Sequence, residues 1–222
     1  FLKPIKTMKN FTLAVVILLS GLSVSAQKFE GTITYEMVYE NLSPQIKPQV
    51  GMLPKSSVMH VKDNLTKTLT PNAMGGEIVI IQNTTTDETL QLINMMGSKI
   101  ATQMTSREKK ELRGEVEKPE IKYTEKSKQI LGYTCKNAIA TDKNGNEIEV
   151  YYTEELKIKV SNSIEGMKGF PMEIVINQDM FTMTQTVVSI KKGKVKRIKM
   201  EIPSDYAFKT IEELKKMGAG GM

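Results

Sequence analysis

Residues 29–40 read FEGTITYEMVYE, and the alternation within this stretch decides the fold class. Four large side chains recur at every second position: Ile33, Tyr35, Met37 and Tyr39. This spacing places side chains on one face of a β-strand. The positions between them are mostly polar, as in a strand with one face on a core and the other toward water. The stretch therefore predicts a strand of an antiparallel sheet.

Similar β-type segments follow along the chain, separated by turn residues. They cover residues 58–69, 77–82, 89–95, 99–104, 133–141, 147–153, 172–177, 181–190 and 195–202. Asn144-Gly145 lies between two of them, and Asn-Gly readily adopts the positive φ angles of a tight hairpin turn. Glycine-centred reversals at 96–98 and 192–194 have the same character. Consecutive hairpins predict an antiparallel meander in a mainly β (α+β) domain.

Two segments are predicted as short helices. Residues 106–113 begin at Ser106, a residue type that caps helices, and stop at Gly114. Residues 210–217 begin with Thr210 and Glu213 at capping-box spacing and are followed by Gly218. Residues 218–222 are expected to form a flexible tail.

The N-terminal 26 residues predict an export signal. Three lysines precede an apolar run over residues 11–24, which is shorter than the roughly 20 residues of a membrane-spanning helix. Small residues close the run, so we expect cleavage between Ala26 and Gln27. Met8 is the expected start, with residues 1–7 as upstream extension. No cysteine follows the run, so we expect no acyl anchor, no membrane span after cleavage, and a periplasmic or secreted protein.

Composition limits the remaining choices. Residues 27–217 have the length of one domain. The chain carries a net charge of +6, and removal of the signal lysines lowers it to +3, which does not indicate a nucleic-acid partner. One cysteine excludes a disulfide within the chain, so a hydrophobic core must supply stability.

Candidate catalytic and metal sites are weak. Met95, Met96, Met180 and Met183 are soft ligands that suit Cu(I), but they form no regular array and fit core filling better. Residues 142–147 miss the spacing of a calcium loop. Ser106 and Ser189 each precede a lysine by three positions without the companion motifs of serine enzymes. We therefore expect no catalytic residue, no metal, no cofactor and no enzyme activity.

Cys135, within ILGYTCKNA (130–138), is the only cysteine and His60 the only histidine. No spacing supports a Cys–His pair, and a cysteine inside a strand pattern is most often a small buried hydrophobe. We expect Cys135 to pack in the core.

Residues 191–199 form a basic run that could meet anionic lipid headgroups or envelope polymers. The favoured interpretation is a solvated hairpin tip, in which Ile198, Met200 and Ile202 turn inward at alternate positions.

Several stretches, taken in order, resemble one family of exported proteins. They are FEGTITYEM (29–37), VKDNLTKT (61–68), MMGSKIATQM (95–104), ILGYTCKNA (130–138), VYYTEEL (150–156), MKGFPMEI (167–174) and EIPSDY (201–206). Together they are similar to the DUF4412 group, common in Bacteroidetes, with some likeness to the GLPGLI proteins. The resemblance implies the fold of the lipoprotein carriers LolA, LolB and LppX: a strongly curved antiparallel sheet, or half-barrel, around an apolar concavity with a few short helices.

The resemblance and the methionine-rich strands suggest a periplasmic module that binds an apolar or lipid-like ligand. The expected lining residues are Met37, Met95, Met104, Phe170, Met172 and Met183. The alternative is a structural or interaction protein of the cell envelope with no ligand. An enzyme is a distant third.

Overall fold

The computed structural model describes residues 29–73, 75–113, 118–142, 144–160, 164 and 166–214. The predicted signal segment 1–26, the cleavage point between Ala26 and Gln27, and the tail 218–222 lie outside these residues. The division into a signal segment, one domain and a tail therefore stays a prediction.

The described residues form one large sheet of 12 strands. The strands are β1 (Gly31–Glu40), β2 (Ser56–Lys62), β3 (Leu65–Pro71), β4 (Gly76–Asn83), β5 (Thr89–Met95), β6 (Ser98–Met104), β7 (Glu120–Ile130), β8 (Tyr133–Thr141), β9 (Glu147–Thr153), β10 (Phe170–Gln178), β11 (Phe181–Lys192) and β12 (Ala207–Phe208). Helix α1 spans Ser106–Arg113, a 3-10 helix spans Lys47–Met52, and residues 211–214 are helical.

The strand order divides the sheet into two meanders. Its sequence is β12-β6-β5-β4-β3-β2-β1-β11-β10-β9-β8-β7, so β1–β6 and β7–β11 each follow chain order. The pairing of β1 with β11 joins the two meanders. Among the described strands, only the two-residue β12 pairs in parallel, and it lies at the edge of the sheet beside β6. The predicted fold class, a mainly β protein with a large, open, curved antiparallel sheet, is confirmed.

The alternation in β1 is also confirmed. Cross-strand pairing places Ile33 opposite Met59 and Tyr35 opposite Val187, and directly paired residues lie on the same face of a sheet. We call this face the Tyr35 face. The opposite face is the Val79 face, where Leu69, Val79 and Leu92 are paired across β3–β5.

Two strand predictions are wrong. The single segment 58–69 is two strands, because the chain reverses at Asp63, which has a φ of 55°. Residues 195–202 form no strand. They were expected to pair as the second arm of a hairpin, but β1 already occupies the free side of β11.

Strand β7 was not predicted at all. Its sequence EIKYTEKSKQI carries charges on both faces, so it lacks an apolar period of two. Such a strand suits the edge of a sheet, where charged side chains discourage pairing with other chains. A break in register between Tyr123 and Ser127 further interrupts this strand.

The apolar core on the Tyr35 face lies at the junction of the two meanders. Ile33 and Met59 on β1 and β2 pack in one cluster with Val187 on β11. The segment that follows β9 covers this cluster with the buried side chains of Leu156 and Ile158. The cover therefore comes from the second meander and lies over strands of both.

A second core lies on the Val79 face and belongs to the first meander. Val79, Ile81 and Leu92 are buried there, and Ile198 packs on them. The rest of residues 195–206 supplies further apolar side chains: Val195, Met200, Ile202 and Tyr206. The expectation that Ile198, Met200 and Ile202 turn inward is thus confirmed, although they lie in an irregular segment.

Glu30 fixes the start of this outer segment. Its Oε1 accepts hydrogen bonds from Lys62 Nζ and from the Val195 amide, both at 2.7 Å. The Lys62 hydrogen bond, followed by the backbone bond, lowers the pKa of the Glu30 carboxyl. One carboxylate thus ties the residue before β1 to the end of β2 and to the beginning of the outer segment.

Thr105, rather than the predicted Ser106, caps α1. Thr105 Oγ1 accepts from the Glu108 amide at 3.2 Å, and Glu108 Oε2 accepts from the Thr105 amide at 2.8 Å. This is a capping box, and its cap lies one residue before the expected one. The box predicted at Thr210 and Glu213 is present, with corresponding distances of 3.2 and 2.8 Å.

Cys135 packs in the core, as expected. It lies on β8 with 0% exposure, in one cluster with Ile130 and Phe170. Burial raises the pKa of its thiol. A buried neutral thiol is a packing group rather than a nucleophile.

We predict that Ile198→Ala lowers the free energy of unfolding by about 2–5 kcal/mol, because the change leaves a cavity between residues 195–206 and the Val79 face. Urea denaturation followed by circular dichroism measures the loss. Lys196→Ala, at an exposed position two residues away, is the control. A loss below about 0.5 kcal/mol for Ile198→Ala, the size of an ordinary surface change, would contradict the packing role.

Cys135→Ser should lower the free energy of unfolding by about 1–3 kcal/mol, because it places a hydroxyl among apolar side chains. Cys135→Ala should lower it as well, by leaving a small void. The same denaturation experiment measures both. Equal stability of all three proteins would show that Cys135 contributes nothing to the core.

Candidate functional site

A cavity of about 270 Å³ opens on the Tyr35 face at the junction of the meanders. Its lining residues are Tyr35, Met37, Ser57, Met59, Thr68, Thr70, Val160, Pro171, Met172, Glu173, Ile174 and Gln185. Small-molecule sites usually measure about 300–1,000 Å³, so this cavity has room for a small group.

Both meanders build the cavity. Met37 on β1 is paired with Gln185 on β11, and Gln185 is paired with Ile174 on β10, which forms one row across the junction. The next row on this face pairs Tyr35 with Ser57, and the row beyond it contains Ile33, Met59 and Thr68. The cavity therefore exists only where β1 and β11 pair.

Tyr35 is the most unusual residue of the lining. Its side chain is 7% exposed, and its hydroxyl has no hydrogen-bond partner among the described residues. Burial raises the pKa of this phenol still further above physiological pH, where tyrosine is neutral in any case. Buried tyrosine hydroxyls usually find a partner. A ligand or water in the cavity would supply it.

Further polar groups of the lining also lack side-chain hydrogen bonds within the described part of the chain. They are Ser57, Thr68, Thr70 and Gln185. Ser57 is 2% exposed, and the other three are half-buried. Hydroxyl and amide groups that face a cavity can form hydrogen bonds either with water or with a ligand that displaces it. The cavity is consequently suited to a ligand with several hydrogen-bonding groups.

The cavity carries little net charge. Glu173 is the one carboxylate of the lining, and it accepts hydrogen bonds from Lys128 Nζ and from Thr186 Oγ1. Lys128 also lies over the ring of Tyr151, with Nζ 4.0 Å from the centroid. The carboxylate is thus neutralised by a lysine that is itself held in place.

The structure brings two of the six predicted lining residues to the cavity. Met37 and Met172 line it. Phe170 is fully buried in the adjacent core, and Met183 lies on β11 opposite Tyr39. Two others lie at strand ends in the first meander: Met95 and Met104. Whether any of them contacts a ligand stays a prediction.

Sequence reasoning missed Tyr35, Met59 and Gln185 as site residues. The alternation placed Tyr35 on the correct face, but no sequence signal shows that its hydroxyl lacks a partner. Gln185 follows the same period of two in β11 and could have been found by pairing β11 with β1. That pairing joins residues about 150 positions apart and was not predicted.

The other candidate chemistry is not assembled. His60 Nδ1 lies 3.0 Å from Thr32 Oγ1, and burial followed by the charge of Lys67 lowers the pKa of His60. Cys135 on β8 and His60 on β2 are separated by four intervening strands. Among the described residues, no cluster of three or more histidine, cysteine or carboxylate side chains could hold a metal ion. In that same part of the chain, no helix is long and apolar enough to cross a membrane.

Two solved structures share the fold of this chain. Both are of PNGF-II, in the C2 and P21 space groups, with 23% and 22% sequence identity and TM-scores of 0.55 and 0.56. Each match covers 85% of this chain but only 32% or 33% of the PNGF-II chain. This chain therefore spans about a third of the length of the protein that it matches.

The Mycobacterium tuberculosis lipoprotein LppX, which the sequence resemblance named, also matches. The identity is 10%, the TM-score is 0.39, and the match covers 81% of this chain and 94% of LppX. This superposition is too poor to transfer a ligand. No curated protein matches the chain.

A family model described as "N-glycanase peptide, N-terminal domain" matches residues 61–215, from the end of β2 to beyond β12. This match contradicts the expectation of no enzyme activity, since the family takes its name from an N-glycanase and points toward an enzyme-related domain. Nucleophile and metal-ligand spacings do not reveal the relation, because the match extends over residues 61–215 rather than over one short motif. The match covers more than half of the sequence, and the chain belongs to the family of N-glycanase N-terminal domains.

Proposed function

We propose that this chain acts in the release of N-linked glycans, as an N-terminal domain that binds the substrate glycoprotein at the cavity on its Tyr35 face. The family match over residues 61–215 carries the proposal. The cavity supports it, because Tyr35 and Ser57 offer hydrogen-bonding groups that the described residues leave unpaired.

The proposal includes an exported location. The signal segment predicted over residues 1–26 would deliver the domain to the periplasm or outside the cell, where it would meet glycoproteins. Membership of the DUF4412 group remains a separate expectation from the quoted sequence stretches.

A second candidate is an apolar or lipid-like ligand in the same cavity. The thioethers of Met37, Met59 and Met172 favour it, because flexible methionine side chains adapt to irregular apolar groups. An acyl chain would leave the hydroxyls of Tyr35 and Ser57 unpaired, which makes this the weaker candidate. Co-purifying lipid, or displacement of a fluorescent fatty acid, would support it.

We predict that the chain binds a denatured N-glycosylated protein and that Thr70→Trp weakens the binding about tenfold or more. The indole would occupy the cavity, whereas Thr70 itself has no partner to lose. Biolayer interferometry with the immobilised glycoprotein measures the affinity. Thr184→Trp is the matched control, since Thr184 is half-buried on β11 and lies on the opposite face of the sheet.

The same glycoprotein tests hydrolysis. Free glycan is measured by mass spectrometry after incubation with the chain alone, and its release would extend the proposal to the reaction itself. Absence of binding to several glycoproteins, with the chain folded, would refute the proposed function. Equal weakening of binding by Thr70→Trp and Thr184→Trp would show that the cavity is not the binding site.

A further inference from the structure

We infer that the cavity binds one uncharged N-acetylhexosamine ring of an N-linked glycan, an inference that rests on the proposed function. Such a ring combines hydroxyls, an amide and a methyl group with apolar C–H faces. The cavity combines the same two kinds of surface in its lining.

The polar side chains of the lining offer the hydrogen-bond donors and acceptors that the polar groups of such a ring require. The hydroxyls of Tyr35, Ser57 and Thr70 can each donate one hydrogen bond and accept others. The Gln185 side chain offers donors and an acceptor, as an acetamide group requires. Within the described residues these groups have no competing side-chain hydrogen bond, so they are available without breaking an existing contact.

The apolar part of the lining comes from methionine. Met37, Met59 and Met172 present flexible thioethers from β1, β2 and β10. They can follow the uneven C–H surface of a pyranose ring and cover an acetyl methyl group. Rigid aliphatic side chains would adapt less well to this uneven surface.

Size and charge restrict the ligand further. A cavity of about 270 Å³ has room for one ring, so the rest of a glycan would extend over the open sheet face. Glu173 is already paired with Lys128, so no free charge selects an ionic ligand. An acyl chain matches the methionines alone and leaves the polar groups unsatisfied.

The test is a titration of the isotopically labelled chain with N-acetylglucosamine, followed by nuclear magnetic resonance. We expect chemical-shift changes at the backbone amides of Tyr35, Ser57 and Gln185. Tyr35→Phe should weaken binding about fivefold, because it removes one hydrogen bond to the ligand. Its thermal unfolding should be unchanged, since the hydroxyl has no partner in the described protein.

Tyr151→Phe is the matched control, because Tyr151 lies on β9 under Lys128 and does not line the cavity. It should leave the affinity unchanged. Gln185→Met keeps the side-chain volume and removes the amide, so it should weaken sugar binding as Tyr35→Phe does. It replaces Tyr35→Phe in the test if that variant fails to fold.

The outcomes separate this inference from the proposed function. Binding of the glycoprotein without binding of N-acetylglucosamine, or with equal affinity for the enzymatically deglycosylated protein, would overturn the sugar assignment alone. Binding of the fatty-acid probe in place of the sugar would do so too. Absence of glycoprotein binding would overturn both. Unchanged sugar affinity in Tyr35→Phe and Gln185→Met would show that the sugar does not bind in the cavity.

Discussion

The pairing of β1 with β11 is the interaction on which the rest of the structure depends. Each meander can form from hairpins between neighbours in sequence, but this ladder joins Gly31 to Lys192 across almost the whole described chain. Closing so long a loop costs conformational entropy, and non-local pairing of this kind slows folding. The core of Ile33, Met59 and Val187 and the cover from Leu156 and Ile158 offset that cost. The cavity forms at the same place because it takes residues from both partners.

A single sheet with cores on opposite faces requires a strand that is apolar on both. Strand β4 meets this requirement, since Ile78 and Ile80 lie on the Tyr35 face while Val79 and Ile81 lie on the other. Continuous apolar runs are typical of strands covered on both faces. On β4, β5 and β6 the buried apolar residues lie on the Val79 face, under residues 195–206. On β2, β1 and β11 the buried apolar residues lie on the Tyr35 face.

Local sequence patterns predicted the strands and the helix caps to within a few residues, because these features depend on neighbours in the chain. The limits of β5, β8 and β9 agree with the predicted segments. Patterns failed where a distant element decides the outcome. Residues 195–202 alternate like a strand, yet β1 occupies the edge with which they would have paired. Strand β7 has no apolar period, yet pairing with β8 holds it extended.

The site was less predictable than the fold for a related reason. Methionines were predicted to line a site because of their side-chain chemistry. Met37 and Met172 lie at the cavity because β1 and β10 both pair with β11. Tyr35 stands out only through the lack of a partner, which is a property of three-dimensional surroundings. The enzyme relation was missed because it resides in no short motif. The family match instead extends over residues 61–215, from the end of β2 to beyond β12.

The single thiol of Cys135 can report local opening of the sheet. Cys135 is fully buried on β8, one strand in from the charged edge strand β7, and its raised pKa keeps it in the unreactive thiol form. A thiol-specific reagent can reach it only when that edge detaches or the sheet opens. Because the chain has a single thiol, the labelling rate reports the frequency of that event without any engineered reporter.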